Sequence, residues 1–493
     1  MSAPWLGSIG LNPMAFDPMA WLVMLPLLWA MAAFVAGPGR GAWLAIGGYA
    51  AQAVAALVLA GQILASGART LAVGGWGAPL GIDLYADGLA TIMLLLAQGV
   101  GLVLVLYARA YFAAAAGWFW PLAGLLAAAM NALLLSNDLF NLYVTLEMLG
   151  LAAVGLVAAG GGAAQARAAL RYLMVGLVAS GAYLLGVALI YGVYGTVDIA
   201  TLTPLIGAGA QAGGPHAVVW LVAALMFVGL MAKTALFPFH FWLPPAHGGA
   251  PAPVSALLSA LVVKVSFYLV LRLWLGPFAP LVEAMAWVAG GLGAAAILWG
   301  SWQAVRAVRL KMLVAWSTVA QLGYLFLIFP LLAPGGSALT AGVLQAVSHG
   351  LAKAAMFAAA GVLIKATGSD AISGLAGVVS RLPLTLFAFG LAGVTLMGLP
   401  PSGGFLAKWL LIEAALAKGQ WVWVVLVIAG GLLAAVYVFR VLRQAFLLAP
   451  EGTNFHAVPR VLEWTALLLA AASVLLGLRA AELAALLAAG GAA

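Results

Sequence analysis

Cysteine is absent from this chain of 493 residues, which excludes disulfides and thiolate metal ligands and leaves the redox compartment open. Charge is almost as scarce: 6% of the residues are Asp, Glu, Lys or Arg, against roughly a quarter in an ordinary soluble domain. A water-soluble surface cannot be built from so little. No glycine-rich phosphate loop occurs, which argues against ATP-driven transport by this chain alone. The five histidines, His216, His240, His247, His349 and His456, form no HExxH or haem-pair pattern with acidic or cysteine partners. No metal site, no cofactor and no catalytic redox centre is therefore expected in the chain. The opening stretch MSAPWLGSIGLNPMAFDP has neither a basic n-region nor a small-residue cleavage site, so the first span is read as retained.

What is present is apolar: 66% of the residues are hydrophobic. A helix crossing a bilayer needs about 20 apolar residues, so the length accommodates a dozen or more spans. Strands of a membrane barrel alternate apolar and polar residues, whereas runs such as 21–35 and 422–436 are continuously apolar. The expected fold is an all-α polytopic membrane protein with about 14 transmembrane helices. Windows bounded by Gly, Pro and charge place them near 19–36, 42–63, 88–107, 119–136, 139–159, 170–194, 218–241, 251–274, 280–300, 313–333, 341–364, 385–411, 421–441 and 461–478. Only the connections 64–87, 195–217 and 442–460 are long and hydrophilic, so 1–493 reads as one membrane domain without a soluble one. The residues after the last window are too few for a long lateral helix.

The formal net charge of +8 needs no nucleic-acid partner, because basic residues collect at the cytoplasmic ends of membrane helices. Loops after odd-numbered spans, with their adjoining helix ends, hold Arg40, Arg109, Arg167, Arg171, Arg306, Arg309, Lys311, Lys365, Arg381, Arg440, Arg443 and Arg460; the other side, counted the same way, holds only Arg69, Arg272, Lys418 and Arg479. This bias predicts a multi-pass protein of a bacterial or archaeal cytoplasmic (inner) membrane with both termini on the outer side. Four of the 20 Lys and Arg residues remain, and all fall inside predicted spans: Lys233, Lys264, Lys353 and Lys408.

Spans 7 and 12 are interrupted in a related way, at MAKTALFPFHFWLPPAH (231–247) and TLMGLPPSGGFLAKWLL (395–411). Pro238, Pro400 and Pro401 remove backbone hydrogen bonds and free carbonyls, which membranes tolerate only where protein or water satisfies them. Gly403 and Gly404 allow close backbone approach. Broken helices in corresponding places of two halves point to an inverted-repeat transporter with its ion path at the breaks. The halves would be spans 4–8 (119–274) and 9–13 (280–441), preceded by three helices (1–118) and followed by a C-terminal helix (442–493).

An ionisable side chain at mid-membrane costs about 2.5–3.5 kcal/mol on insertion scales, so each buried charge invites a functional reading beside a structural one. Glu147 is either a protonated packing carboxylate or the charge partner in a conduction path. Lys233, five residues before Pro238, is either half of a structural ion pair or a loading group whose proton affinity changes as a carboxylate approaches or withdraws. Lys264 is either a snorkelling lysine or a relay group, and with Arg272 at that helix end it lies too deep to reach the interface easily. His349 and Lys353, four apart, share a helix face, and imidazole is suited to pass a proton along. Lys408 follows the second break and suits an outlet group. His240 and Asp138 are accessory candidates: His240 to donate to a freed carbonyl, Asp138 to cap or sit at an interface.

The stretches NDLFNLYVTLE, KTALFPFHFWLPPAH, APAPVSALLSALVVK, LVAWSTVAQLGY and GLPPSGGFLAKW occur in an order, from about Ile82 to Lys408, that resembles the proton-conducting family shared by complex I antiporter-like subunits, Mrp antiporter subunits and membrane-bound hydrogenase subunits. That resemblance implies two inverted five-helix bundles and a hydrated axis at mid-membrane through Glu147, Lys233, Lys264, His349, Lys353 and Lys408. Within the family DLFNLYV and FWLPPAH look closer to the D-type subunit of Mrp antiporters and its complex-I-like relatives. Pro245 departs from the commoner FWLPDAH, and SND from the TGD of that Mrp subunit. The implied function is proton translocation within a multi-subunit assembly, coupled to redox chemistry as in an NADH:quinone oxidoreductase or to Na+/H+ exchange. The partners would be other membrane subunits of an Mrp-like or complex I-like complex, protons, Na+ in the exchange reading, and the bilayer. An autonomous transporter of a small solute and a membrane anchor with inert charges are the alternatives.

Overall fold

A computed structural model describes residues 17–112, 116–213, 217–489 and 491; the opening stretch up to residue 16 and His216, both read above, lie outside the described residues. Asp17 accepts a hydrogen bond from the Met19 amide (2.9 Å) and starts α1 (Pro18–Ser66), which breaks into two arms at Gly37 (φ 75°) ahead of Pro38. The connection expected as a hydrophilic loop instead pairs β1 (Arg69–Ala72) antiparallel with β2 (Asp83–Ala86), so its backbone groups satisfy one another. Then follow α2 (Gly88–Phe112), α3 (Phe119–Leu135), α4 (Leu139–Ala158) and α5 (Ala163–Tyr194). The connection 195–217, also expected as a loop, carries α6 (Ile199–Gly213), started by the Asp198 carboxylate accepting the Thr201 amide (2.7 Å).

The central stretch comprises α7 (Ala217–Thr234), α8 (Leu243–Gly249), α9 (Ala252–Leu257) and α10 (Val263–Leu275), the last two joined by a π turn at Leu258–Val262. The second half runs through α11 (Val282–Arg306), α12 (Leu310–Phe326), α13 (Ala338–Thr367), α14 (Pro383–Met397), α15 (Gly403–Ala417) and α16 (Trp421–Phe446). The chain closes with α17 (Arg460–Leu475) and α18 (Ala480–Ala489), which carries helical structure past the predicted end near 478. Among the described residues eleven helical stretches are long and apolar enough to cross a membrane, and Phe119–Leu135 and Pro383–Met397 are shorter apolar helices.

Burial ranks these spans. All of the most apolar window of Ala252–Leu275 is buried, and 89% of the windows of Leu310–Leu331 and Ala338–Thr367, against 33% for Ala163–Tyr194 and Arg460–Ala489. Lys264, Lys353 and His349 therefore sit on the innermost helices, and the peripheral ones turn leucine, valine and tryptophan outward, as a bilayer demands.

Lys365, read as a loop residue, is an exposed member of the last turn of α13 and lies over the Tyr111 ring at 4.7 Å. Lys311, placed by sequence in a basic loop or the helix end beside it, is in the first turn of α12 and buried. That turn is capped from a distance, by Asp370: its carbonyl accepts the Leu310 amide (2.7 Å) and its carboxylate the Lys311 amide (3.0 Å). A cap 59 residues away leaves no local signal.

Candidate functional site

Both broken helices form where proline was read. Helix α7 ends at Thr234, the chain turns through Ala235 (φ 59°), and it resumes after Pro238 in a short turn, Phe239–Trp242, that leads into α8. In the second break α14 ends at Met397, Gly398 adopts φ 82°, and α15 restarts behind Pro400 and Pro401 with Ser402 accepting the Phe405 amide (3.1 Å). A Cβ on Gly404 would lie 2.0 Å from the Thr395 carbonyl oxygen, so α15 approaches α14 at a distance only glycine permits. A carbonyl beside each break takes a side-chain donor. Trp242 Nε1 donates to the Ala232 oxygen (2.9 Å), and Lys408 Nζ donates to the Leu396 oxygen (2.5 Å). The side-chain donor at the first break is Trp242, and its acceptor also takes the Ala235 amide (3.1 Å); His240 Nδ1 is buried without a partner between Phe237 and Trp316.

Glu147 on α4 and Lys233 at the end of α7 form an ion pair at 3.0 Å, with the carboxylate side chain 19% exposed and the lysine 7%. Beside them is a cavity of about 10 Å³ lined by Gly150, Tyr172 and Gly176 among others, near the ~10–15 Å³ that one water needs. Asp138 lies at the end of this helix and caps it, accepting the Asn141 amide at 2.7 Å.

The other candidates gather around α10, α12 and α13. Lys264, two residues past the π turn, donates to the Ser259 carbonyl oxygen, and the Ser259 hydroxyl meets Thr318 of α12 at 2.9 Å. Lys353 donates to the Val314 carbonyl oxygen (2.7 Å) and to the Ser317 hydroxyl. His349 does not bond to Lys353, although one face carries both; its two ring nitrogens are buried and unpartnered, within reach of the charges of Lys264, Lys353 and Lys408. Lys408 lies over the Tyr324 ring at 4.6 Å, and its acceptor, the Leu396 oxygen, also takes Gln321 Nε2 (3.2 Å), which continues to Gln345 (3.1 Å). The structure thus brings together two groups, Glu147 with Lys233 and Lys264 with His349, Lys353 and Lys408. Among the described residues no hydrogen bond joins the first to the second.

Residues 136–434, which hold every one of these groups, match the family described as NADH:quinone oxidoreductase/Mrp antiporter, TM. The chain belongs to this family of membrane proteins. It is 38% identical to the N-type subunit of the NADH-quinone oxidoreductase of Desulforudis audaxviator over 413 residues, covering 79% of this chain and 80% of that one. It is 30% identical to the D-type subunit of the Na(+)/H(+) antiporter of Alkalihalophilus pseudofirmus, covering 79% and 78% of the two chains. A chain of the Mrp complex from Dietzia sp. DQ12-45-1b superposes with a TM-score of 0.88 at 28% identity, over 97% of this chain and 96% of that one.

Two ionisable groups that sequence reasoning passed over join the second group in this Mrp/oxidoreductase family member. His247 of α8 is fully buried with both nitrogens unpartnered, and the charges of Lys264, Lys353 and Lys311 act on it. Lys311 donates to the Ala250 carbonyl oxygen at the end of α8. The signal for His247 was its place in the break motif LPPAH; Lys311 had none beyond an apolar run starting one residue later. Of the five lysines buried among the described residues, only Lys233 has a carboxylate partner.

Proposed function

We propose that this chain is a proton-translocating membrane subunit of a multi-subunit complex, of the Mrp antiporter or NADH:quinone oxidoreductase type. The observation that carries the reading is the set Lys264, Lys353 and Lys408, buried in the protein interior and bonded to carbonyl and hydroxyl oxygens, with no ion-pair carboxylate for any of them among the described residues. A permanently charged ammonium is expensive there, whereas an amine that alternates between charged and neutral forms is a proton carrier. Glu147 biases Lys233, which exchanges with Lys264; His349 and Lys353 carry the proton on to Lys408 at the second break. Water bridges the step from Lys233 to Lys264. His247 and Lys311 feed the same centre from the face that carries Asp370.

The names of the relatives, one a component of a quinone oxidoreductase and one of a sodium/proton antiporter, define the two couplings this subunit would serve. We further propose a fourteen-span topology, with α1 counted as two spans, containing inverted repeats at 119–274 and 280–441. Two matching devices support it. Asp138 bridges Asp198 through Leu139 N–H to Val197 O and Ile199 N–H to Asn137 O, and Arg309 bridges Ala371 through Leu310 N–H to Asp370 O and Ile372 N–H to Val308 O. Residues with positive φ, Ala235 and Gly398, open the two breaks. The same proposal sets both termini on the outer side of the cytoplasmic membrane, a reading supported by the distribution of Lys and Arg.

The test is proton movement by the assembled complex in membrane vesicles, driven through its redox or cation-exchange partners. Lys264→Ala and Lys408→Ala should each remove most of it while leaving the complex intact on a native gel. Wild-type rates in both variants would refute the relay.

A further inference from the structure

We propose that Arg272, Tyr268 and Asp87 form a proton seal that closes the mid-membrane axis toward the face carrying the β1–β2 hairpin; this rests on the relay proposed above. An open cavity of about 620 Å³ enters the protein from that face, lined by Asp83, Tyr85, Asp87, Asn137, Thr203 and Arg272 among others. Lys264, Tyr268 and Arg272 recur every four residues on α10, one stripe running from the centre of the protein to the cavity. Lys264 is eight residues from Arg272, roughly 12 Å along the helix. Without a barrier, this polar stripe is a short circuit between the cavity and the relay.

The barrier is a hydrogen-bond network that engages four of the five guanidinium N–H groups, both carboxylate oxygens and the Tyr268 hydroxyl. Arg272 Nη1 donates to Asp87 Oδ2 (2.5 Å) and Nη2 to Asp87 Oδ1 (2.8 Å), and Oδ1 also accepts the Ala90 amide (2.9 Å). The Tyr268 hydroxyl accepts from Arg272 Nε (3.2 Å) and Nη2 (2.8 Å) and gives its own proton to the Leu134 carbonyl oxygen (2.8 Å). A proton arriving from the cavity meets a guanidinium that does not release its charge, a carboxylate whose two oxygens are held, and a hydroxyl already committed in both directions. On the inner side, Lys264 turns away, toward the Ser259 carbonyl oxygen at the opposite end of the stripe. A fixed guanidinium also repels protons and cations in a pore. The network would look the same if it served only to tie α2, α3 and α10 together, and the leak experiment separates these roles.

The variant that separates them is Asp87→Asn/Arg272→Gln, which leaves neither charge alone and keeps side chains of similar size. The complex is assayed in membrane vesicles, undriven, by the decay of an imposed pH gradient. The seal predicts a several-fold faster decay in the double variant, return to the wild-type rate when Lys264→Met is added, and a tight membrane in Arg272→Lys. A wild-type decay in the double variant, or a leak that survives Lys264→Met, overturns the proposal. If the double variant fails to assemble, Tyr268→Phe, which frees the Leu134 carbonyl without burying a charge, is read by the same criteria. Driven transport by the wild-type complex in the same vesicles tests the relay separately, so the two readings can fail independently.

Discussion

Neutralising both members of the Glu147–Lys233 pair tests whether it does more than hold α4 to α7. Removing one partner of a buried ion pair costs about 3–5 kcal/mol, because the remaining charge is left uncompensated. With the Glu147 side chain 19% exposed and Lys233 7%, the low end of that range applies. That cost falls on assembly of the complex; a bias of the same size, ~3 kcal/mol, exerted by the carboxylate on the transferring amine would correspond to a rate loss of roughly a hundredfold when it is removed. Glu147→Gln and Lys233→Met should each therefore bring driven proton transport near background and lower the yield of assembled complex. The double variant Glu147→Gln/Lys233→Met buries no lone charge, so the yield should recover on a native gel. Transport should not, because the carrier amine is gone. Proton uptake into inverted vesicles, followed with a pH-gradient dye and normalised to assembled complex, reads both quantities. A double variant that assembles and transports at the wild-type rate would show that the pair is structural and refute the reasoning.

Lys365→Ala should leave transport and assembly unchanged, since the side chain is exposed at the end of α13 and its contact is the face of Tyr111; a loss of transport would mean that a group remote from the buried charges belongs to the path. Gly404→Val should abolish assembly, because its Cβ would have to occupy the space 2.0 Å from the Thr395 carbonyl oxygen; detergent extraction followed by size-exclusion chromatography measures it. Gly403, where the nearest atoms to an added Cβ are side-chain carbons at 3.1 Å, should tolerate alanine better, with the complex retained at reduced thermal stability.

Composition and periodicity were sufficient for the membrane class, because a chain with 6% charge has few ways to fold in water. They also placed the helix breaks, since Pro238, Pro400 and Pro401 forbid a continuous ladder whatever surrounds them. The four lysines stood out for the same local reason: each lies in an apolar run whose neighbours leave it no route to water. These are properties of a residue and its immediate sequence, and they survive without any knowledge of packing.

The partnerships were decided by tertiary structure. That Glu147 faces Lys233 across 86 positions, that Trp242 rather than His240 reaches the Ala232 carbonyl, and that His349 shares a helix face with Lys353 without bonding it all depend on which helices lie side by side. Lys311 makes the same point most plainly: by sequence it stands at a basic loop or the helix end beside it, yet Asp370 caps the helix over it and its ammonium donates to the buried Ala250 carbonyl oxygen. Hydrophobicity selects which segments enter the bilayer, one segment at a time. The polar groups inside find partners only after those segments have packed, and that packing is not written in any single stretch of chain.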